Sequence, residues 1–223
     1  MMVAMKKISD IHTFEDKAFL QRMTRLSVIV LVVGIVAGVV WFLLGAPEML
    51  GLPGSELAAV MVEGKGPHLG FLGPSTLWFA IGAVAIFVSL AAHELVHGLF
   101  FKLFAPAGAR VTFGANWKAG MLYACAEGIV YTRRQYLVIA LAPTFVVTAA
   151  ALAVGTISGW PLLGSVVAVA HLSGCTGDWC YAAAILGDAR ITHCEDCTWG
   201  VQFYGADDGA PSSDADAEGD GRR

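Results

Sequence analysis

The sequence is poor in charged side chains, which make up only 14% of its 223 residues. A soluble domain carries about 25% charged residues, so this chain cannot cover itself with a hydrated surface. The formal charge of −4 argues against nucleic acid as a partner. No internal repeat of the solenoid kind is present. The first apolar block lacks a small-residue cleavage site in the usual place, which argues against a cleaved signal peptide.

Long apolar blocks dominate the sequence instead, and 57% of the residues are hydrophobic. A helix needs about 20 apolar residues to cross a bilayer. The blocks that reach this length are Leu26–Gly45, 76–104, Tyr136–Ser158 and 161–186. They predict an all-α membrane protein with about four transmembrane helices and a short β-hairpin-like loop between helices 2 and 3. The distribution of Lys and Arg around the blocks places both the N- and C-termini in the cytoplasm.

The second block contains HELVH, an HExxH pattern formed by His93, Glu94 and His97. Positions four apart lie one turn apart on the same face of a helix, so both imidazoles can bind one ion. Zinc binds imidazole readily, and a catalytic zinc site keeps one position open for water. Glu94 lies about 100° round the helix from His93, which favours a general base over a ligand. The competing interpretation is that these side chains only form interhelical hydrogen bonds.

A third zinc ligand is expected from the fourth block. His171 and Asp178 are seven positions apart, hence on nearly the same face of a helix, and Cys175 lies between them. Asp178 is the preferred ligand, because an uncompensated carboxylate at that depth requires a cation. His171 either replaces or supports it, or hydrogen-bonds a neighbouring helix. Cys175 and Cys180 are interpreted as small packing residues.

The segments around these blocks carry weaker signals. Residues 111–131 combine β-branched and aromatic residues with Gly, which predicts a short hairpin whose edge could bind an extended substrate; a plain packed loop is the alternative. Pro143 is expected to kink the third helix and could leave a carbonyl free near the site. Cys194 and Cys197 form a CxxC pattern that lacks the second half of a zinc site, and it stays unassigned.

The motifs resemble those of known families. An intramembrane HExxH followed by a later span with an Asp ligand resembles the site-2 protease group of intramembrane zinc metalloproteases. The chain is more closely similar to a domain family of unknown function described as putative zincin peptidases. The similar stretches are HELVHGLFF (93–101), the segment 111–146, HLSGCTGDW (171–179) and EDCTWGVQFY (195–204). The third ligand departs from the site-2 protease pattern, where an Asn-Pro-Asp-Gly type motif is usual.

The resemblance implies a zinc-dependent membrane peptidase with His93, His97 and Asp178 as ligands of Zn²⁺ and Glu94 as the catalytic base. The chain is then expected to hydrolyse peptide bonds of a membrane protein or peptide through a metal-bound water, in contact with the lipid bilayer. A homo-oligomer is plausible, because four spans are few for enclosing a hydrophilic cavity. The alternative function is a non-catalytic membrane protein that binds or transports metal.

Three regions are predicted along the chain. Residues 1–25 form a cytoplasmic N-terminal segment, and residues 26–204 form a four-span membrane domain that is metallopeptidase-like. Residues 205–223 form an acidic tail, rich in Gly and Ser, that is expected to be disordered.

Overall fold

A computed structural model describes residues 5–45, 49, 56–66, 68–116 and 121–206 of the chain. The described part consists mostly of helices, together with two small antiparallel sheets. In chain order the elements are β1 (Met5–His12), α1 (Lys17–Leu43), α2 (Glu56–Met61), α3 (Pro74–Phe104), β2 (Thr112–Asn116), β3 (Met121–Cys125), β4 (Val130–Thr132), α4 (Arg133–Ile157), α5 (Pro161–Gly174), α6 (Thr176–Gly187), β5 (His193–Cys197) and β6 (Gly200–Ala206).

Three helices, α1, α3 and α4, are long and apolar enough to cross a membrane. They cover nearly all of the first three apolar blocks of the sequence, so these blocks are confirmed as helices of spanning length. Many of their large apolar side chains point outward, such as Val33, Val84 and Phe145, which are 60%, 62% and 69% exposed. Lipid can cover such a surface, whereas water cannot do so without cost.

The fourth block is not one continuous helix. It is divided into α5, which ends at Gly174, and α6, which begins at Thr176. Gly174 and Gly177 flank the break, and glycine has a low helix propensity, which weakens the helix here. Neither piece alone reaches the length of a span, so the structure does not confirm four transmembrane helices.

The prediction of an all-α fold is confirmed only in part, because the described residues are mostly helical but also form strands. Four strands form a sheet in the order β1-β6-β5-β4, with antiparallel pairing throughout. The sheet joins the beginning of the described chain to its end, since Met5 is paired with Ala206 and His12 with Gly200. Strands β5 and β6 form a local hairpin, but β1 and β4 pair with strands that are distant in the sequence. No local pattern predicts these two long-range pairings.

The predicted hairpin is confirmed. Strands β2 and β3 pair antiparallel, from Thr112 opposite Cys125 to Asn116 opposite Met121. The remainder of the predicted hairpin segment, β4, belongs instead to the four-stranded sheet. Most of the predicted disordered tail, from residue 207 onward, lies outside the described residues. The division at residues 25 and 205 stays a prediction.

Local signals explain where several helices begin. Helix α4 starts with a capping box, in which the Thr132 hydroxyl accepts from the Gln135 amide and the Gln135 side chain accepts from the Thr132 amide. Helices α3 and α5 both start with proline, where the missing N–H costs no helical hydrogen bond. Helix α5 then packs closely on α4 through Gly155 and Gly164, because an added Cβ at Gly155 would lie 2.6 Å from the Gly164 Cα.

The main buried core lies at the end of the helical bundle that carries the four-stranded sheet. Its large side chains come from α3, α4, α6 and the strands, and they include Phe101, Tyr131, Ile139, Ile185 and Phe203. The candidate site lies beside this core, because His97 is one turn before Phe101 on α3. The sheet therefore closes the same end of the bundle at which the HExxH motif is found.

Candidate metal centre

His93, His97 and Asp178 bring three potential ligand groups to one point. The two histidines project from α3, and Asp178 lies in the first turn of α6. The Nε2 atoms of His93 and His97 are 3.0 Å apart, and carboxylate oxygens of Asp178 lie 3.1 Å from the first and 3.5 Å from the second. Tetrahedral zinc with bonds of about 2.0–2.1 Å separates its ligand atoms by about 3.3 Å. The donor set and its spacing therefore fit a zinc ion.

The interruption at Cys175 changes how Asp178 reaches this point. Spacing along one helix predicts His171 and Asp178 on a shared face, but the two residues belong to different helices, α5 and α6. Both side chains nevertheless point toward α3, since His171 contacts His93 at one ring nitrogen and Asp178 contacts it at the other. The predicted proximity is observed, although its structural cause differs from the predicted one.

His97 is oriented by a carbonyl of α4. Its Nδ1 lies 3.0 Å from the carbonyl oxygen of Ile139. A carbonyl only accepts, so Nδ1 carries the proton and Nε2 presents its lone pair to the metal position. Ile139 precedes Pro143 by four residues, and proline has no N–H with which to complete that helical hydrogen bond. The free carbonyl predicted near the site is therefore present, and His97 uses it.

His93 is oriented by a second histidine. Its Nδ1 lies 3.1 Å from Nε2 of His171, which is only 1% exposed. The other ring nitrogen of His171, Nδ1, lies 3.1 Å from the hydroxyl of Thr148 on α4. A consistent proton arrangement has His93 Nδ1 donating to His171 and His171 Nδ1 donating to Thr148, which leaves His93 Nε2 free to bind metal. In this arrangement His171 supports His93, and whether it also replaces Asp178 as a ligand stays open.

Glu94 lies beside this cluster on α3 and is held by the hairpin. Its Oε2 accepts a 2.7 Å hydrogen bond from the backbone N–H of Ala124 in β3. Glu94 is half-buried and, unlike Asp178, is not among the three groups whose ligand atoms converge. The position of the Glu94 carboxylate next to the cluster suits proton transfer, since a general base must lie close to the proton that it takes.

Comparison with known proteins identifies this part of the chain. Residues 86–190 match the model of a family described as “Putative zincin peptidase”. The resemblance to this family is confirmed. The matched segment contains the HExxH motif, the hairpin, α4, α5 and α6, and therefore every residue of the cluster. No curated protein and no solved structure shows significant similarity to the chain. The resemblance to site-2 proteases stays a prediction.

A cavity of about 800 Å³ opens onto the cluster of the matched segment. His93, Glu94, His97 and Asp178 all line it. Other wall residues come from α1, the middle of α3, the hairpin and the β5–β6 turn, and include Met23, Val28, Phe87, Leu90, Tyr123 and Trp199. The cavity is lined by apolar side chains together with polar groups from several elements, which is a usual composition of a small-molecule or peptide site.

Asp196 is a polar residue of this cavity that sequence reasoning missed. It belongs to β5, and its Oδ1 accepts a 2.8 Å hydrogen bond from the Tyr136 hydroxyl of α4. Burial raises the pKa of Asp196 to about 7. The only available signal was its position between Cys194 and Cys197, since a strand that is distant in the sequence cannot be located from local spacing.

The CxxC pattern that contains Asp196 is structural in the described part of the chain. Cys194 and Cys197 lie in β5, and both are buried, reduced thiols. Within the described ranges, neither joins a group of three or more potential metal ligands. Burial raises the pKa of Cys194 to about 12, which keeps its thiol protonated and unreactive at neutral pH. The pattern therefore serves the sheet core.

Proposed function

We propose that this protein is a zinc-dependent peptidase embedded in the membrane. The observation that carries the proposal is the convergence of His93, His97 and Asp178 at zinc-compatible distances, with Glu94 beside them on a shared cavity. The match of the surrounding segment to the zincin description supports a peptidase. The three helices of spanning length support a location in the membrane.

Each residue of the site has a distinct role in this proposal. His93, His97 and Asp178 hold the zinc ion, and Ile139 and His171 fix which histidine nitrogen faces it. When bound, zinc would activate a water molecule and polarise the scissile carbonyl. Glu94 accepts a proton from the attacking water and passes it to the leaving amine. The hydrogen bond from Ala124 keeps the Glu94 carboxylate oriented toward the cavity.

The hairpin supplies a surface for the substrate backbone. Among the described residues β3 pairs with one strand only, β2. The proposal places an extended peptide along the other edge of β3, where Glu94 already accepts from the Ala124 amide. The Ala124 amide places Glu94 at this same strand, so a peptide added along β3 passes close to the proposed base. The substrate of this proposal is therefore an extended segment of a membrane protein or peptide.

Apolar walls at the α1–α3 side favour a substrate that arrives from the bilayer. Met23 and Val28 of α1 and Phe87 and Leu90 of α3 all line the cavity. A hydrophobic substrate segment buries apolar surface against these side chains, whereas a polar peptide loses hydration there. This supports the intramembrane form of the activity.

The deciding experiment compares wild type with Glu94→Gln. Gln keeps an oxygen to accept from Ala124 but cannot take a proton, so the variant is expected to retain zinc and to lose about 10²–10⁴-fold in cleavage rate. The measurements are metal analysis of the purified protein and a proteolysis assay on membrane substrates. Glu127→Gln is the matched control, because Glu127 is an exposed residue of the loop before β4.

Three outcomes contradict the proposal in different ways. Cleavage by Glu94→Gln at the wild-type rate would exclude Glu94 as the base. Wild-type protein without zinc would exclude the metal centre. Zinc bound equally in both proteins with no cleavage by either would favour the alternative, a membrane protein that binds or transports metal.

A further inference from the structure

A second group of potential ligands lies on the opposite side of the His93 ring. The Nδ1 atom of His93, Nε2 of His171 and Sγ of Cys175 approach one another closely: the two nitrogens are 3.1 Å apart, and the sulfur lies 3.8 Å from the first and 3.6 Å from the second. These three residues come from α3, α5 and the α5–α6 junction. They share only His93 with the proposed catalytic site.

The spacing of this group fits a metal ion with mixed nitrogen and sulfur ligands. Zinc bonds of about 2.1 Å to nitrogen and about 2.3 Å to sulfur, in tetrahedral geometry, separate two nitrogens by about 3.3 Å and nitrogen from sulfur by about 3.6 Å. His171 and Cys175 are almost completely buried, at 1% and 0% exposed. Thr148 binds the far nitrogen of His171, so the lone pair of its Nε2 points at the other two groups.

We propose that His93, His171 and Cys175 form a second cation position, which takes a thiophilic divalent ion such as Cd²⁺ or excess Zn²⁺. A thiolate ligand selects these softer ions over magnesium or calcium. Cys175 releases its thiol proton to solvent when the ion binds. His93 shifts its ring proton from Nδ1 to Nε2, so one proton leaves in total for each ion that binds.

The two positions compete, because a neutral imidazole has only one lone pair for a metal. When His93 binds the second ion through Nδ1, its Nε2 carries the proton and donates to Asp178, which lies 3.1 Å away. The catalytic position then has His97 and Asp178 alone. Occupation of the second position is therefore inhibitory, and this consequence, unlike the binding itself, rests on the proposed function.

The test uses the ultraviolet absorption of cadmium–thiolate bonds, since the proposed catalytic site contains no sulfur. Purified metal-free protein in detergent is titrated with Cd²⁺, and the wild type is expected to develop this absorption with about one equivalent. Cys175→Ser is expected to lose it. Cys180→Ser is the matched control and should keep it, because Cys180 is a buried thiol of α6 that lies outside the group.

A further variant separates the two positions. His97→Ala removes a ligand of the proposed catalytic site but none of the second group, so it should lose peptidase activity and keep the cadmium–thiolate absorption. X-ray absorption of zinc-saturated wild type should show a sulfur atom about 2.3 Å from zinc. This measurement does not depend on whether any variant folds. Equal absorption in wild type and Cys175→Ser, or no sulfur neighbour, would overturn the second site. Failure of the proposed function would appear instead as absent cleavage with the absorption retained.

Discussion

Pro143 shows how one residue can act on a proposed metal site through its neighbours. A proline inside a helix normally weakens it by removing one hydrogen bond. Here the carbonyl left over, that of Ile139, accepts from Nδ1 of His97 and so selects the ring nitrogen that faces the metal position. The missing N–H of Pro143 thus leaves the Ile139 carbonyl without a competing helical donor, which favours its hydrogen bond to His97.

Pro143→Ala is expected to weaken zinc binding while leaving the helix intact. The new Ala N–H competes with His97 for the Ile139 carbonyl. Because a carbonyl can accept two hydrogen bonds, the loss in zinc affinity should be about tenfold, the lower end of the range for groups that orient a metal ligand. Competition with a chelator measures the affinity, and circular dichroism measures helix content. Pro161→Ala at the start of α5 is the control. Unchanged affinity in Pro143→Ala would contradict the orienting role.

Asp196 predicts a pH dependence of stability with a definite sign. Its pKa in the folded protein is about 7, because burial disfavours its charged form, whereas an unfolded chain has an ordinary Asp pKa near 4. Between about pH 4 and pH 7 this carboxyl is therefore ionised in the unfolded chain but still protonated in the folded protein. The contribution of Asp196 to the free energy of unfolding is expected to fall through that range and to level off above it.

Asp196→Asn should remove this contribution. The wild type is expected to lose thermal stability relative to the variant as the pH rises from 4 to 7, with a constant difference between pH 8 and pH 9. Midpoints of thermal unfolding in detergent, recorded for both proteins across the range, give the difference. Parallel curves throughout would show that Asp196 ionises in the folded protein as it does in the unfolded chain.

At the scale of elements, α2 and α5 are joined by a buried carboxylate. Glu56 of α2, which is 7% exposed, accepts hydrogen bonds from the backbone N–H groups of Leu162 and Leu163 at 2.6 and 3.2 Å. It also accepts from the indole Nε1 of Trp78 in α3 at 2.7 Å. Glu56 of α2 therefore accepts from amides at the start of α5 that have no partner within that helix. Its negative charge also balances the positive end of the α5 dipole.

Glu56→Ala is expected to destabilise the protein by about 2 kcal/mol or more, because three buried donors lose their acceptor. Thermal unfolding in detergent measures the change. Zinc content of the folded fraction should stay the same, since the start of α5 lies about 15 Å along the helix from His171. Glu63→Ala provides the control, as the Glu63 side chain is exposed and pairs only with exposed Lys65. Equal stability of the two variants would contradict the capping role.

The elements also show which local patterns could be read from the sequence. Length and apolar content predicted α1, α3 and α4, and Gly with β-branched residues predicted the β2–β3 hairpin. The division between α5 and α6 was missed, because an apolar run with glycines does not reveal whether the helix continues through them. That division matters for the site, since Asp178 lies in the first turn after it.

At the scale of the whole molecule, the four-stranded sheet joins the two ends of the described chain. Strand β1 pairs with β6 over most of its length, and His12 also stacks on Trp199 with ring centroids 4.1 Å apart. Gly200 in this pairing has φ +150°, a value that favours glycine, and an added Cβ would collide with the Ile11 carbonyl oxygen. Residues 5–12 and 200–206 must therefore lie on the same side of any membrane that the helices cross.

Reporter fusions test this topology. A reporter that is active only in the cytoplasm, fused to the N-terminus in one protein and to the C-terminus in another, is expected to be active in both. The shared side follows from the β1–β6 pairing, and the cytoplasmic side is proposed from the Lys and Arg distribution. Activity at only one terminus would contradict the sheet. Reporter inactivity at both termini would agree with the β1–β6 pairing but would show that both termini lie on the opposite side from the one proposed.

The sequence by itself determined the membrane-length helices and the pairing of His93 with His97, because both depend on spacing within one helix. It also pointed to Asp178, through the cost of an uncompensated carboxylate in an apolar block. Only the tertiary structure decided that His171 orients His93, that Pro143 acts through Ile139 on His97, and that β1 pairs with β6. These features depend on contacts between segments that are distant along the chain, and such contacts leave no periodic pattern in the sequence.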